Sequence, residues 1–278
     1  MSTQLTGTLK KIKDTGVITI GHRESSCPFS YYDENQGVIG YSNDLQLKVV
    51  ETLKKELAVP DLRVRYVTVC PKNRFPWLNN STIDVECGST TNNMDHQRLA
   101  DFSVAFFKAQ TRLLVRRGSG INDFSDLQDK AVVTTAGTTS ERLLKAMNTE
   151  KRMNMNILLE HDHGQAYQLL RTDRAVALML DDILLEGLKA SSPRQKDLHI
   201  VGTPQSSEMY GFMLRKADAV FKKLVDRAIT DAFASGEINK IYAKWFQNSV
   251  PPLNCSLDIV MSDQVKQLIY KPTDFPAE

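Results

Sequence analysis

Gly16-Val-Ile-Thr-Ile-Gly21 is a short apolar run bounded by glycines, and the pattern changes period after it. A Pro-containing loop spans 28–40, then Leu45, Val49, Val50, Leu53 and Leu57 recur at helical spacing up to Pro60. A strand-length run feeding a helix-period segment is the repeating unit of an α/β architecture. The unit recurs downstream. Leu62 to Cys70 reads as a second strand and Trp77 and Leu78 mark a short segment. Ile83 to Cys87 reads as a third strand, ending in the polar loop Gly88-Ser-Thr-Thr-Asn-Asn93. Intervening helices carry the chain back across the sheet, so largely parallel sheets are expected.

A second set of units begins near Thr111. Leu113, Leu114 and Val115 form a strand before the Gly118-Ser119-Gly120 turn, and Ser125-Asp-Leu-Gln128 has capping-box spacing. Ala131 to Thr135 is a strand, and Thr138-Thr139-Ser140-Glu141 fits a capping box opening a helix through Leu143, Leu144 and Met147. Ile157 to Leu159 and Ala175 to Leu180 are further strands, with a helix carrying Tyr167, Leu169 and Leu170 between them. Val220, Phe221, Leu224, Val225, Ala228, Ile229, Ala232 and Phe233 form one helical stripe that stops at Gly236. A last core-facing helix carries Ile238, Ile241, Tyr242, Trp245 and Phe246 and ends before Pro251-Pro252.

The 278 residues, 41% hydrophobic and 24% charged with 14 Gly and 10 Pro, make about two domains of ordinary globular composition. With 35 Lys+Arg against 33 Asp+Glu the net charge is +2 and there is no basic face, so nucleic acid is set aside as a partner. No stretch approaches the ~18 consecutive apolar residues of a membrane span. Met1-Ser-Thr-Gln4 lacks the basic and apolar regions of a signal peptide, leaving a cytoplasmic address and a removed leader both open. Cys27, Cys70, Cys87 and Cys255 lie far apart, without C-x-x-C or zinc spacing, so neither a metal site nor a cofactor is expected.

Patterns for phosphate loops, dinucleotide folds, zinc proteases and nucleophile elbows are all missing. Polar residues accumulate instead where strands end. Arg23-Glu-Ser-Ser26 follows the first strand, Lys72-Asn-Arg74 the second and Ser89-Thr-Thr91 the third; Thr138-Thr-Ser140 and Asp181-Asp182 repeat this in the second half. Ligands collect at the carboxyl ends of such strands, and a helix N-terminus favours an anion. Two arginines with hydroxyl-rich loops suit carboxylates, and an aspartate suits an ammonium, which together describe a small zwitterion with extra negative charge. Each loop alone also fits a plain N-cap or a solvated arginine.

At these residues the sequence resembles the periplasmic glutamate/aspartate-binding proteins of amino-acid ABC transporters, over nearly the whole chain from Leu9 to Pro272. The resemblance is carried by Gly21-His-Arg-Glu-Ser-Ser, Pro28-Phe-Ser-Tyr-Tyr-Asp, Glu86-Cys-Gly-Ser-Thr-Thr-Asn-Asn93, Gly137-Thr-Thr-Ser-Glu141, His161-Asp-His-Gly164 and Asp181-Asp182. It implies a type II periplasmic-binding-protein fold: two α/β lobes joined by two hinge strands, closing around a ligand. Lobe 1 would comprise 1–105 plus 211–278 and lobe 2 residues 111–205, with hinges at about 106–110 and 206–210. The resemblance further implies export to the periplasm with a removed leader, a monomer, ABC permease subunits as partners, and no enzymatic activity.

Carried over position by position, Arg23 and Arg74 resemble the pair that holds the ligand's side-chain carboxylate, assisted by His163. Asp181 and Ser89 resemble the groups that take the α-ammonium, and Thr91 and Thr139 the donors to the α-carboxylate. Two departures follow. His96, in Asn93-Met-Asp-His96-Gln-Arg98, stands where the family has an α-carboxylate arginine, and Cys70-Pro71 replaces hydroxyl residues. Three readings stand open: a protonated His96 serves, Arg98 substitutes, or the ligand is another carboxylate, such as a non-amino-acid dicarboxylate or an aromatic carboxylate. A dehydratase-like enzyme on the same fold is the competing class, with Glu24 and His96 as its general-acid candidates. For Cys27 and Cys70 a disulfide and two thiols are both open; Cys87 reads as a small core residue.

Overall fold

The computed structural model describes residues 5–252 and 256–276; Met1–Gln4 and Cys255 lie outside the described residues. The chain builds two five-stranded sheets. In the first, the order is Arg63–Thr68, Val17–His22, Val85–Cys87, Met213–Leu214, Asp101–Phe102. In the second it is Asn156–Glu160, Ala131–Thr135, Ala177–Asp181, Thr111–Arg116, Leu198–Val201. A separate antiparallel pair, Phe107–Ala109 with Glu208–Tyr210, lies on the two connections between them.

Neither sheet is wholly parallel. Met213–Leu214 runs opposite to both its neighbours, and so does Thr111–Arg116. These are the first strands reached after the Phe107–Ala109 and Glu208–Tyr210 crossings. The remaining strands end at the gap between the sheets, so a chain arriving across that gap must run away from it. Hydrophobic periodicity reports burial and carries no strand direction, which is why the opposed strands were not foreseen.

Aromatic packing fixes the crossing. Phe29 meets the edge of Phe107 with ring centroids 4.9 Å apart, Phe107 stacks on Phe246 at 5.3 Å, and Tyr242 stacks on Phe246 at 4.3 Å. These rings each bury a large area and tie both crossing strands to the C-terminal helices. Helix Ala219–Ala234 buries Phe221, Leu224, Val225, Ala228, Ile229, Ala232 and Phe233, while Val220, assigned to that stripe by its spacing, is 55% exposed. Glu237–Tyr242 continues into a wider turn, Ala243–Gln247, where Trp245 Nε1 donates to Asp44 Oδ2 at 2.7 Å.

Local capping places the helix ends that matter. Thr138 caps Thr139–Glu150, its hydroxyl accepting the Glu141 N–H, and Gly137 N–H donates to the Glu141 carboxylate at 2.6 Å. Asp162 caps His163–Arg171 through Gln165 N–H. The box expected at Ser125 lies two residues earlier: Asp123 is the extended residue, and it caps Phe124–Leu127 reciprocally with Asp126. The loop over 25–39 holds three short paired strands that no periodicity announced. Cys27 and Cys70 are not joined by a disulfide, and Cys87 is buried.

Candidate functional site

Between the two sheets lies a small cavity with a largely polar lining. Its walls come from strand ends and helix starts of both halves. Arg23 follows Val17–His22, Arg74 opens Arg74–Asn79, and Ser89 and Thr91 follow Val85–Cys87. From the other side come Thr139 at the start of its helix, His163 at the start of the next, and Asp181 at the end of Ala177–Asp181. Seven of the eight residues picked from the sequence thus line one cavity.

One end is cationic. Arg23 and Arg74 are buried, and Arg23's guanidinium forms no ion pair among the described residues. Arg74 donates to the Thr90 hydroxyl at 2.7 Å, and Thr90 donates on to Glu86 Oε2 at 2.8 Å. Glu86 is a buried counter-charge beneath both arginines: burial pushes its carboxyl up, and Arg74, Thr90 and Arg23 pull it back. Burial lowers Arg74 to about 10 and lowers Arg23 as well, against the attraction of Glu86. His163 shares a 2.7 Å hydrogen bond between Nδ1 and the Thr135 hydroxyl; burial and the two guanidinium charges keep it neutral.

The lining also carries an anion, Asp181. Tyr210 donates its hydroxyl to Asp181 Oδ2, while Asp181 Oδ1 is buried without a partner among the described residues. Burial, reinforced by the nearby Glu208, holds the Asp181 carboxyl well above the usual range. The Ser89 hydroxyl and Arg74 Nε are likewise buried and unpartnered. Orphaned buried polar atoms are rare, and among the described residues Arg74 Nε, the Ser89 and Ser140 hydroxyls and Asp181 Oδ1 belong to the lining of this one cavity.

His96 is the exception. Its Nδ1 donates to the Thr91 carbonyl at 2.7 Å and its ring packs 5.0 Å from Phe75, so it stands behind the wall instead of on it. Burial and Arg74 lower it to about 4, so in this arrangement its ring is neutral at pH 7, unlike the family's arginine. Arg98 lies on the surface against Asp95, so the shifted-turn alternative is also not realised. Glu24 is exposed.

Sequence reasoning missed Glu86, Glu208 and Tyr210. Glu86 interrupts an apolar strand, Ile83-Asp-Val-Glu-Cys87, at a position with no water to face, and that charge was the available signal. Glu208 and Tyr210 sit on a crossing strand too short for periodicity to mark.

The two halves also touch outside the cavity. Asp95 and Arg142 pair at 2.5 Å, and the Ser25 hydroxyl donates to Asp162 at 3.2 Å while accepting Gly164 N–H. Gly137, with φ +80°, lies so near the other half that a Cβ there would stand 3.0 Å from the Lys72 nitrogen and the Pro71 carbonyl carbon.

Comparison with known proteins identifies the family. Residues 18–248 match the family model for bacterial extracellular solute-binding proteins, family 3. An L-glutamate/L-aspartate-binding protein of Pseudomonas aeruginosa is 57% identical over 99% of this chain and 91% of its own length. A glutamate/aspartate import solute-binding protein of Escherichia coli is 50% identical over 96% of this chain and 88% of its own. Among solved structures, a histidine-bound ABC uptake transporter substrate-binding protein from Streptococcus pneumoniae superposes with TM-score 0.78 at 21% identity, covering 87% of this chain and 97% of that one, a likeness of fold.

Proposed function

The chain belongs to the bacterial extracellular solute-binding proteins of family 3, and we propose that it captures L-glutamate or L-aspartate between its lobes and delivers it to an ABC permease from the periplasm. The observation that carries the reading is that two buried arginines and the unpartnered Asp181 Oδ1 line one cavity. The 57% and 50% identical relatives support it by the ligands in their names.

Arg23 and Arg74 then take the ligand's side-chain carboxylate, with His163 donating one ring N–H. Asp181 Oδ1 and the Ser89 hydroxyl take the α-ammonium. The α-carboxylate falls to the start of Thr139–Glu150, where first-turn N–H groups lack helical partners and the dipole is positive, and to the Thr91 backbone. Lobe 1 (1–105 and 211–278) and lobe 2 (111–205) rotate about 106–110 and 206–210, so closure strips water from the ligand's charges and couples binding to the shape the permease meets. The protein acts as a monomer. Glu24 and His96, the groups considered as general acids, lie off the cavity lining, which supports capture without chemistry.

One observation favours a second reading, a dicarboxylate without an amino group. Among the described residues lining the cavity the cations are Arg23 and Arg74, both given to the side-chain carboxylate, while His96 turns to Thr91. Calorimetric titration of the ligand-stripped protein with L-glutamate, L-aspartate, glutarate, succinate and benzoate separates the two. Tight binding of either amino acid with weak binding of glutarate and succinate is the expected result; the reverse order sinks the main reading.

A further inference from the structure

Resting on the reading above, we infer that Glu208 is a positioning residue that sets the site's preference for an ammonium-bearing diacid by fixing the hydroxyls of Thr91 and Thr139 as acceptors. Glu208 lies on the crossing strand, paired with Ala109, and is 2% exposed. Its Oε2 accepts the Thr91 hydroxyl at 2.5 Å and the Thr139 hydroxyl at 3.1 Å. Its Oε1 accepts Ser206 at 2.5 Å and lies 3.4 Å from the Thr111 hydroxyl. One carboxylate thus gathers a threonine from each lobe onto the strand that joins them.

The consequence follows from counting protons. A carboxylate only accepts, so both threonine hydroxyls must donate to it, and a hydroxyl has one proton to give. What Thr91 and Thr139 have left are lone pairs. Both residues line the cavity together with Asp181, whose free Oδ1 is also an acceptor, and Tyr210, two residues along the same strand from Glu208, donates to the other Asp181 oxygen. The hydroxyls are therefore matched to the three N–H donors of an ammonium and mismatched to a carboxylate oxygen, which leaves the α-carboxylate to backbone N–H groups. A ligand without the ammonium meets acceptors it cannot satisfy, and that rejects far better than a mere loss of contact area. Because the bonds to Glu208 need Thr91 and Thr139 together, the pattern is complete only when the lobes are closed.

The test is the ratio of glutarate Kd to L-glutamate Kd, by calorimetry on the full chain, with thermal melting to confirm folding. In Glu208→Gln the neutral amide no longer holds both hydroxyl protons by charge, so the ratio should fall about tenfold or more, charge-assisted hydrogen bonds being roughly twice as strong as neutral ones. A purely structural role would weaken both ligands together and leave the ratio alone. Should Glu208→Gln fail to fold, Thr139→Val removes one acceptor away from the hinge and should lower the same ratio. Wild type that prefers L-glutamate, with a folded variant keeping the wild-type ratio, overturns this inference alone. Wild type that prefers glutarate overturns it together with the ligand assignment.

Discussion

The Tyr210 hydroxyl holds one oxygen of Asp181 and leaves the other bare inside the cavity. Tyr210 belongs to a crossing strand and Asp181 to the end of a strand in the second sheet, so the acceptor is aimed by one of the two strands proposed as the hinge. A buried carboxylate with one satisfied and one vacant oxygen is unfavourable without a cation, and that cost is recovered only when an ammonium arrives.

Asp181→Asn should therefore weaken L-glutamate on the order of a hundredfold, the scale of one charge-assisted contact at a buried site, and weaken glutarate far less. Proton counting gives a second readout. Burial and Glu208 raise the Asp181 carboxyl, so the folded, ligand-free protein keeps a proton there that the unfolded chain has lost. The stability this contributes is fully present below the unfolded value and drains away as pH rises through the folded one. An arriving ammonium displaces that proton. Calorimetry of wild type over a pH series that starts just above the ordinary carboxylate value, in buffers of different ionisation enthalpy, should register proton release on binding, and Asp181→Asn should abolish it; identical release in both proteins throughout the series would remove Asp181 from the ammonium site.

The cationic end predicts a non-additive pair. Arg74 and Glu86 are both buried and joined through Thr90. Arg74→Met should cost about 3–5 kcal/mol of stability because it strands a buried carboxylate, whereas adding Glu86→Gln should recover a large part of that. Chemical denaturation of the two single variants and the double variant measures the coupling. Simple additivity would show that Glu86 is not the counter-charge.

How much of this was legible in the sequence depends on which signal a residue leaves. Arg23, Arg74, Ser89, Thr91, Thr139 and Asp181 follow or open elements that periodicity marks, so strand ends single them out in the sequence, whereas His163 is reached only through the family resemblance. Glu208 and Tyr210 lie on a three-residue strand without periodicity, and the cavity residues they hold, Asp181, Thr139 and Thr91, are 29 to 117 residues away, so only the folded chain brings them together. His96 failed differently. Its position matches a family arginine, but position says nothing of rotamer, and an imidazole is too short to repeat what a guanidinium reaches. It satisfies the nearest carbonyl instead, that of Thr91.

That placement makes His96 a stability group with a definite pH sign. Its folded value of about 4 lies below the ordinary 6.5, so the unfolded chain binds the extra proton and stability is lost as pH falls from 6.5 towards 4. The loss should be on the order of 1–3 kcal/mol. His96→Gln should flatten the melting temperature across that window while leaving L-glutamate affinity at pH 6 and pH 8 within about threefold of wild type. Affinity that falls tenfold in the variant at both pH values would return His96 to the binding site.

Closure itself is tested at Gly137. The residue has φ +80°, where an L side chain costs roughly 1–2 kcal/mol, and a Cβ there would press on the backbone of Pro71 and Lys72 across the gap. Backbone cannot swing aside as a flexible side chain does, so Gly137→Ala opposes closure in particular and folding only slightly. Ligand-free stability should drop by the backbone term alone, and L-glutamate affinity should fall at least about tenfold because the closed arrangement is what the ligand selects. Arg142→Ala is the contrast, since the Asp95–Arg142 pair also spans the gap but is half-exposed; an ion pair of that kind contributes about 0–1 kcal/mol and fades with salt. Small-angle scattering with and without L-glutamate separates the two. Wild type and Arg142→Ala should contract on binding, and Gly137→Ala should not. Full contraction in Gly137→Ala at saturating ligand would mean that the Pro71–Lys72 turn yields, and that closure does not depend on the missing side chain.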